Sequence, residues 1–269
     1  MSGNSEGSRH IQDHLWETGL VVNWDTIYCS WGVMIFLLLG TWLITRSLKK
    51  QSIGKPQFIL EAIYDIWNNQ VTTQIPWKAQ KFLPLVGGIF MFCLFGYWHG
   101  LLPWKIGALH PLWPYLDNGH HFEGAAPTSD INVTAGLAFV SVIAYLSAGS
   151  MSSKLSYWAP YFGFNYHHGK WSFNPLGIIT GIIEWLDLIL RPLTLSLRLF
   201  ANTFAGEALL VELVKMTYLL IPIPILIFEF GIGIIQAFIF AILTTVYIGI
   251  ATSHGAEEEH HELEASTTN

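Results

Sequence analysis

Charge is what this chain has least of. Of its 269 residues only 12% are Asp, Glu, Lys or Arg, where a soluble domain carries about 25%. With 52% hydrophobic residues, this balance argues for a polytopic membrane protein over a soluble one with a large core. Twelve Trp and seventeen Phe suit lipid contact and interfacial belts, and would equally suit a dense core. Basic clusters are missing, which removes nucleic acid as a partner, and the net charge of −6 comes mostly from the chain ends. Cysteine is scarce: Cys29 and Cys93 both fall in apolar runs. They form no disulfide framework and no metal spacing, so buried free thiols are expected, with no metal and no cofactor. The opening "MSGNSEGSRHIQDHLWETG" lacks the positive start and immediate apolar stretch of a cleaved signal. The first hydrophobic run is therefore expected to stay as a membrane helix.

Catalytic signatures are missing too. An intramembrane serine protease needs a G-x-S-x-G-like nucleophile and a histidine at membrane depth. A b-type haem protein needs axial histidines on adjacent spans, and only His99 is close. No inverted repeat relates the two halves, which counts against a stand-alone secondary transporter or channel. The doublets His120–His121 and His167–His168 and the tail "HGAEEEHHE" read as structural or solvated features rather than metal sites.

Three uncharged stretches are long enough to cross a bilayer, which needs about 20 residues. They are 26–45, 82–104 and 131–153. Two further apolar stretches follow, Trp171–Val211 and Met216–Ser253. Each is about twice the hydrocarbon thickness if wholly helical at about 1.5 Å per residue. The sequence thus predicts an all-α membrane protein of about five transmembrane helices. Its last two are long and strongly tilted, forming a hairpin over 171–253 that turns near 212–224. Pro192 implies a bend rather than a stop. Ile59, Ile63, Ile66 and Trp67 share one helical side, which predicts an amphipathic surface helix near 58–70. The whole of 1–269 reads as one integral membrane domain, with 1–25 and the acidic 254–269 as its ends. Arg46, Lys49, Lys50, Lys55, Lys78 and Lys81 between the first two spans place that loop in the cytoplasm. The N-terminus is then outside and the C-terminus inside.

The fourth stretch is interrupted by charge. With Arg198 at 0° and about 100° per residue, Glu184 falls at about +40°, Asp187 at about −20°, Arg191 at about +20° and Asn202 at about +40°. These form one polar stripe, while Glu207 falls at about 180°. In the last helix Gln236 is seven residues from Glu229 and shares its face. An arginine at mid-membrane costs about 2.5–3.5 kcal/mol on insertion scales, so it demands a partner or a water-filled cavity. One reading is a structural ion pair of Arg198 with Glu184, Asp187 or Glu207. No carboxylate of this helix lies three or four residues from Arg198. A partner on another helix or subunit, as in an ion path, therefore leads. His99 reads as an interfacial residue and Tyr247 as helix packing.

"PLTLSLRLFANTFAGEALL" (192–210) followed by "IIQAFIFAILTTVYI" (234–248) resembles subunit a of the F-type ATP synthases. "LLPWK" (101–105) and "AAPTSDINVT" (125–134) resemble its second and third span boundaries. The resemblance implies a proton-translocating stator subunit whose tilted hairpin wraps the ring of c subunits and which is not catalytic alone. Arg198 matches the obligatory arginine facing the c-ring carboxylates. Asn202, Glu207, Glu229 and Gln236 match positions of the outer half-channel, Glu184 a carboxylate near the inner one, and Asp187 a rim group there. Implied partners are the c-ring, peripheral-stalk b-type subunits, the other ATP synthase subunits and the lipid bilayer. The implied location is an energy-transducing membrane, bacterial in preference to thylakoid or mitochondrial. Ala201 departs from the family's usual glycine. Glu207 and Glu229 are both carboxylates where some relatives pair a carboxylate with a histidine. As like charges they are expected to share one proton near neutral pH. Infrared difference titration checks this: the pair retains a protonated carboxyl at neutral pH, and two groups both ionised below about pH 5 refute it.

Overall fold

In an apolar layer a backbone satisfies its N–H and C=O groups only within a helix or a closed barrel, and this chain takes the helical solution. A computed structural model of the protein describes residues 24–46, 55–101, 126–153, 156–158, 160–162, 164–167, 170–173, 175–217 and 222–267. Among them are six helices. They are α1 (Trp24–Arg46), α2 (Lys55–Gln74), α3 (Leu83–Leu101), α4 (Ile131–Ser153), α5 (Pro175–Thr217) and α6 (Pro222–Thr267). Four contain stretches long and apolar enough to cross a membrane: Thr26–Leu43, Leu83–Leu101, Ile131–Ser152 and Pro222–Ser253. The charges of α5 keep it out of that group, so composition marks four spans among the described residues, against about five expected. Residues 1–23 of the expected N-terminal outer segment, Lys49, Lys50, His120, His121, Lys154 and His168 lie outside the described residues.

Local signals explain several boundaries. Asp130 caps α4: its carboxylate accepts from the Asn132 N–H at 2.8 Å and its carbonyl from the Thr134 N–H at 3.1 Å. Pro175 opens α5 because proline tolerates the first helical turn and disfavours a helical residue before it. Residues 171–173, expected within that helix, instead belong to a short antiparallel hairpin, β1 (Phe164–His167) with β2 (Lys170–Phe173). Pro192 leaves α5 unbroken over 43 residues. α6 continues past Ser253 to Thr267, beyond the expected end. Glu, abundant there, is a strong helix former.

α6 is the central helix. It packs mainly on α3 and α4, and α5 packs mainly on α4. The last two helices therefore touch each other less than the expected hairpin suggests. α2 is longer than predicted, and its buried side is Trp67, Val71 and Ile75, with Ile63 half-buried and Ile66 exposed. Trp67 stacks obliquely on Phe90 of α3 and Phe238 of α6, with ring centroids 5.1 and 5.5 Å apart. So α2 docks on the bundle along a side rotated from the predicted one. Ser141 of α4 donates to the Thr244 hydroxyl of α6 at 2.9 Å, a polar link inside an apolar seam. Cys29 and Cys93 are buried and neither is in a disulfide, as expected. Large apolar side chains of α1 and α5, such as Leu38, Phe36, Ile182 and Ile189, point outward.

Candidate site: a buried carboxylate cradle and an exposed arginine

α5 organises the site because its buried face runs between its two polar edges. Leu195, Leu199, Thr203 and Gly206 are buried. At about 100° per residue they fall between about 60° and 140° from Arg198. Arg198, at the origin of that count, is exposed, and the half-buried Arg191 and Asn202 flank the buried face. Glu207 lies on its other flank, half-buried. The single stripe read from the sequence is therefore one shoulder of the helix, and Glu207 the other.

The two arginines of α5 have different environments. Arg191 forms an ion pair with Asp187, one turn before it. Its guanidinium also lies 4.9 Å from the ring centre of Tyr247 on α6 and 5.7 Å from that of Tyr145 on α4. The positive charge thus meets a carboxylate and two electron-rich ring faces, which suit a guanidinium away from water. Tyr247, expected to serve helix packing, faces this guanidinium and the Tyr145 ring. Arg198 has no ion pair among the described residues. Asp187 is taken by Arg191, and Glu207 accepts the Ala126 N–H at 2.9 Å. Neither forms the ion pair with Arg198 that the structural reading required.

On the opposite shoulder three helices interlock through glycines. Gly100 of α3 leaves room for the Glu207 carboxylate of α5. Gly206 of α5 leaves room for Glu229 of α6, where an added methyl would sit 2.8 Å from the carboxyl carbon. Gly233 of α6 leaves room for the Tyr97 ring of α3, where a methyl would sit 2.6 Å from Cδ1. Each helix thus receives a side chain from one neighbour and sends one to the other. The Tyr97 hydroxyl closes the ring by donating to Glu229 Oε2. Glu229 and Gln236 are both buried, at 6% and 7% exposure, so the face they share points inward. Asn202 Nδ2 is buried and meets no acceptor among the described residues. Glu184 and His99 are half-buried, the latter near the C-terminal end of α3.

Tyr97, Gly100, Gly206 and Gly233 were not legible as site residues. Tyr97 is 132 residues from Glu229. A lone tyrosine inside an apolar span gives no sign of the helix it will face. Ionisable groups at helix interfaces within an apolar layer are costly and mark ion pathways. Helices of membrane-crossing length that bury such groups define a helical membrane protein built to handle charge. Sequence comparison narrows this. Residues 27–249 match the family described as ATP synthase A chain. The chain is also 33% identical over 254 residues to the ATP synthase subunit a of the cyanobacterium Gloeobacter violaceus, covering 93% of each sequence. The chain belongs to the ATP synthase A chain family.

Replacing Arg191 with leucine removes the ion pair and both ring contacts. The assembled complex is expected to lose about 1–2 kcal/mol of thermal stability. ATP-driven proton pumping per assembled complex is expected to stay at its unaltered level. Lost pumping at unchanged stability would transfer Arg191 from the fold to the ion path.

Proposed function

We propose that the chain is the static, proton-conducting partner of a rotating c-ring, coupling proton flow to rotation and ATP synthesis. The observation that carries this is Arg198 on α5, exposed and without an ion pair among the described residues, beside a second arginine engaged by Asp187, Tyr145 and Tyr247. A cation at membrane depth with no ion pair among the described residues calls for a carboxylate from another chain. The buried amide of Asn202 one turn away likewise calls for an acceptor from outside.

Two half-channels that meet near Arg198 account for the remaining polar groups. With the N-terminus outside, α3 ends and α4 begins on the outer side. Glu207, beside Gly100 and Ala126, belongs to that outer level, and Glu229 accompanies it. Gln236 and Asn202 lead inward. Glu184 marks the inner half-channel, with Asp187 at its rim. Glu207 and Glu184 are separated by 23 residues of α5, or about 35 Å along a straight helix. That span is close to the hydrocarbon thickness of about 30 Å, so a tilted α5 reaches from one half-channel to the other, making it the fifth crossing.

During synthesis a proton passes from the outer side to a c-ring carboxylate and neutralises it. Its desolvation cost then falls and the site can rotate into lipid. At the inner half-channel the proton leaves. Arg198 stands between the two paths, favours the ionised carboxylate beside it and blocks direct leakage. A guanidinium suits this role because it stays charged where a buried lysine would not. The membrane potential supplies about 2.3 kcal/mol per charge per 100 mV. The chain works in an energy-transducing membrane with the c-ring, the peripheral stalk and the other subunits, and carries out no hydrolysis alone.

Arg198→Ala is expected to abolish coupled ATP synthesis and to make reconstituted membranes leak protons. Normal ATP-driven pumping in that variant would overturn the proposal. Glu207→Gln is expected to slow proton flux more mildly, and unchanged flux would reduce that residue to a packing role.

A further inference from the structure

Glu229 is the one buried carboxylate among the described residues, and the hydroxyl that reaches it comes from another helix. Tyr97, at 2% exposure, has its ring seated over Gly233, one turn along α6 from Glu229. From α5 the backbone at Gly206 abuts the same carboxylate. The neighbouring Glu207 is turned toward the Ala126 N–H and Gly100. On its own helix Gln236 is two turns further on. No Lys or Arg among the described residues pairs with Glu229. Its orientation therefore depends on one phenol, and that phenol is immobilised by its ring.

We propose that Tyr97 is a positioning residue for proton transfer, its hydroxyl holding the Glu229 carboxylate at the angle from which protons pass along the outer half-channel. This rests on the half-channel role given to Glu229 above. Proton transfer needs donor and acceptor within about 2.6–3.2 Å, directly or through one water. A carboxylate free to rotate about its side-chain bonds loses that alignment. With Oε2 occupied by the Tyr97 hydroxyl, Oε1 is the oxygen that accepts a proton from outer-side water and later releases it inward. Tyr97 keeps its own proton throughout, so the residue returns to its starting state after each transfer. The ring and the hydroxyl have separable jobs: the ring packs α3 on α6 over Gly233, and the hydroxyl aims Glu229.

The complete ATP synthase carrying Tyr97→Phe, reconstituted into liposomes, tests the hydroxyl while keeping the ring. Assembly, and ATP hydrolysis by the soluble head once it is detached from the membrane, are expected to be unaltered. Potential-driven proton flux is expected to fall about tenfold, the usual scale for losing a hydrogen bond to a charged group. The infrared carboxyl band assigned by its loss in Glu229→Gln is expected to shift in Tyr97→Phe. Gly233→Ala, which displaces the ring but keeps the hydroxyl, is expected to shift the same band. Unaltered flux and an unshifted band in Tyr97→Phe, with flux reduced in Glu229→Gln, would overturn the positioning role alone. Full flux in Glu229→Gln would remove Glu229 from the path, and both readings would fall. Failure of Tyr97→Phe to assemble, with the Gly233→Ala band unshifted, would assign Tyr97 to helix packing instead.

Discussion

Keeping a carboxylate inside an apolar bundle is the constraint on which the rest of this structure depends. An ionised carboxylate without donors is expensive in such surroundings, and a protonated one still needs a hydrogen-bond partner. The chain meets the demand by packing three helices closely around two carboxylates, with Tyr97 of α3 donating to Glu229 and the Ala126 N–H ahead of α4 donating to Glu207. Glycine at 100, 206 and 233 is what allows the approach, because each position holds a neighbour's side chain where a methyl group would collide. The order of helices around α6 follows from the same requirement. α3 must reach α6 to deliver Tyr97, and α5 must lie beside both to seat Glu207 and Glu229.

A second consequence is the division of labour between two arginines on one helix. Arg191 is compensated within the chain by Asp187 and by the faces of Tyr145 and Tyr247. Arg198, two turns later, is left exposed on the same shoulder. Seven residues advance the helix by almost whole turns, so the two point the same way. Their different fates come from the neighbouring helices, whose tyrosines lie at the level of Arg191. Among the described residues, Arg191 ties α5 to α4 and α6, while Arg198 has no ion pair.

Much of the fold was legible because lipid imposes simple rules. Uncharged runs at 26–45 and 131–153 became helices with boundaries within about two residues, the usual uncertainty of such limits. Other features escaped those rules. The strand Lys170–Phe173 replaced the first residues of an expected helix, because a local hairpin precedes the proline that opens α5. Of the side read for α2, Trp67 is buried and Ile63 half-buried but Ile66 is exposed, because the buried face runs on through Val71 and Ile75. Only contact with Phe90 and Phe238 selects Trp67.

Composition and periodicity along the chain are enough for the helical class, the apolar spans and the angular relations within each helix. Periodicity is a property of one helix and needs no partner. It therefore placed Arg198 and Asn202 on one shoulder of α5 and Glu207 on the other, and put Glu229 and Gln236 on one face. Tertiary structure alone decided which helix meets which shoulder. Tyr97 reaches Glu229 across 132 residues, and Ser141 meets Thr244 across 103. Such pairings depend on how close two helices can come, and that is set by small residues on both surfaces at once.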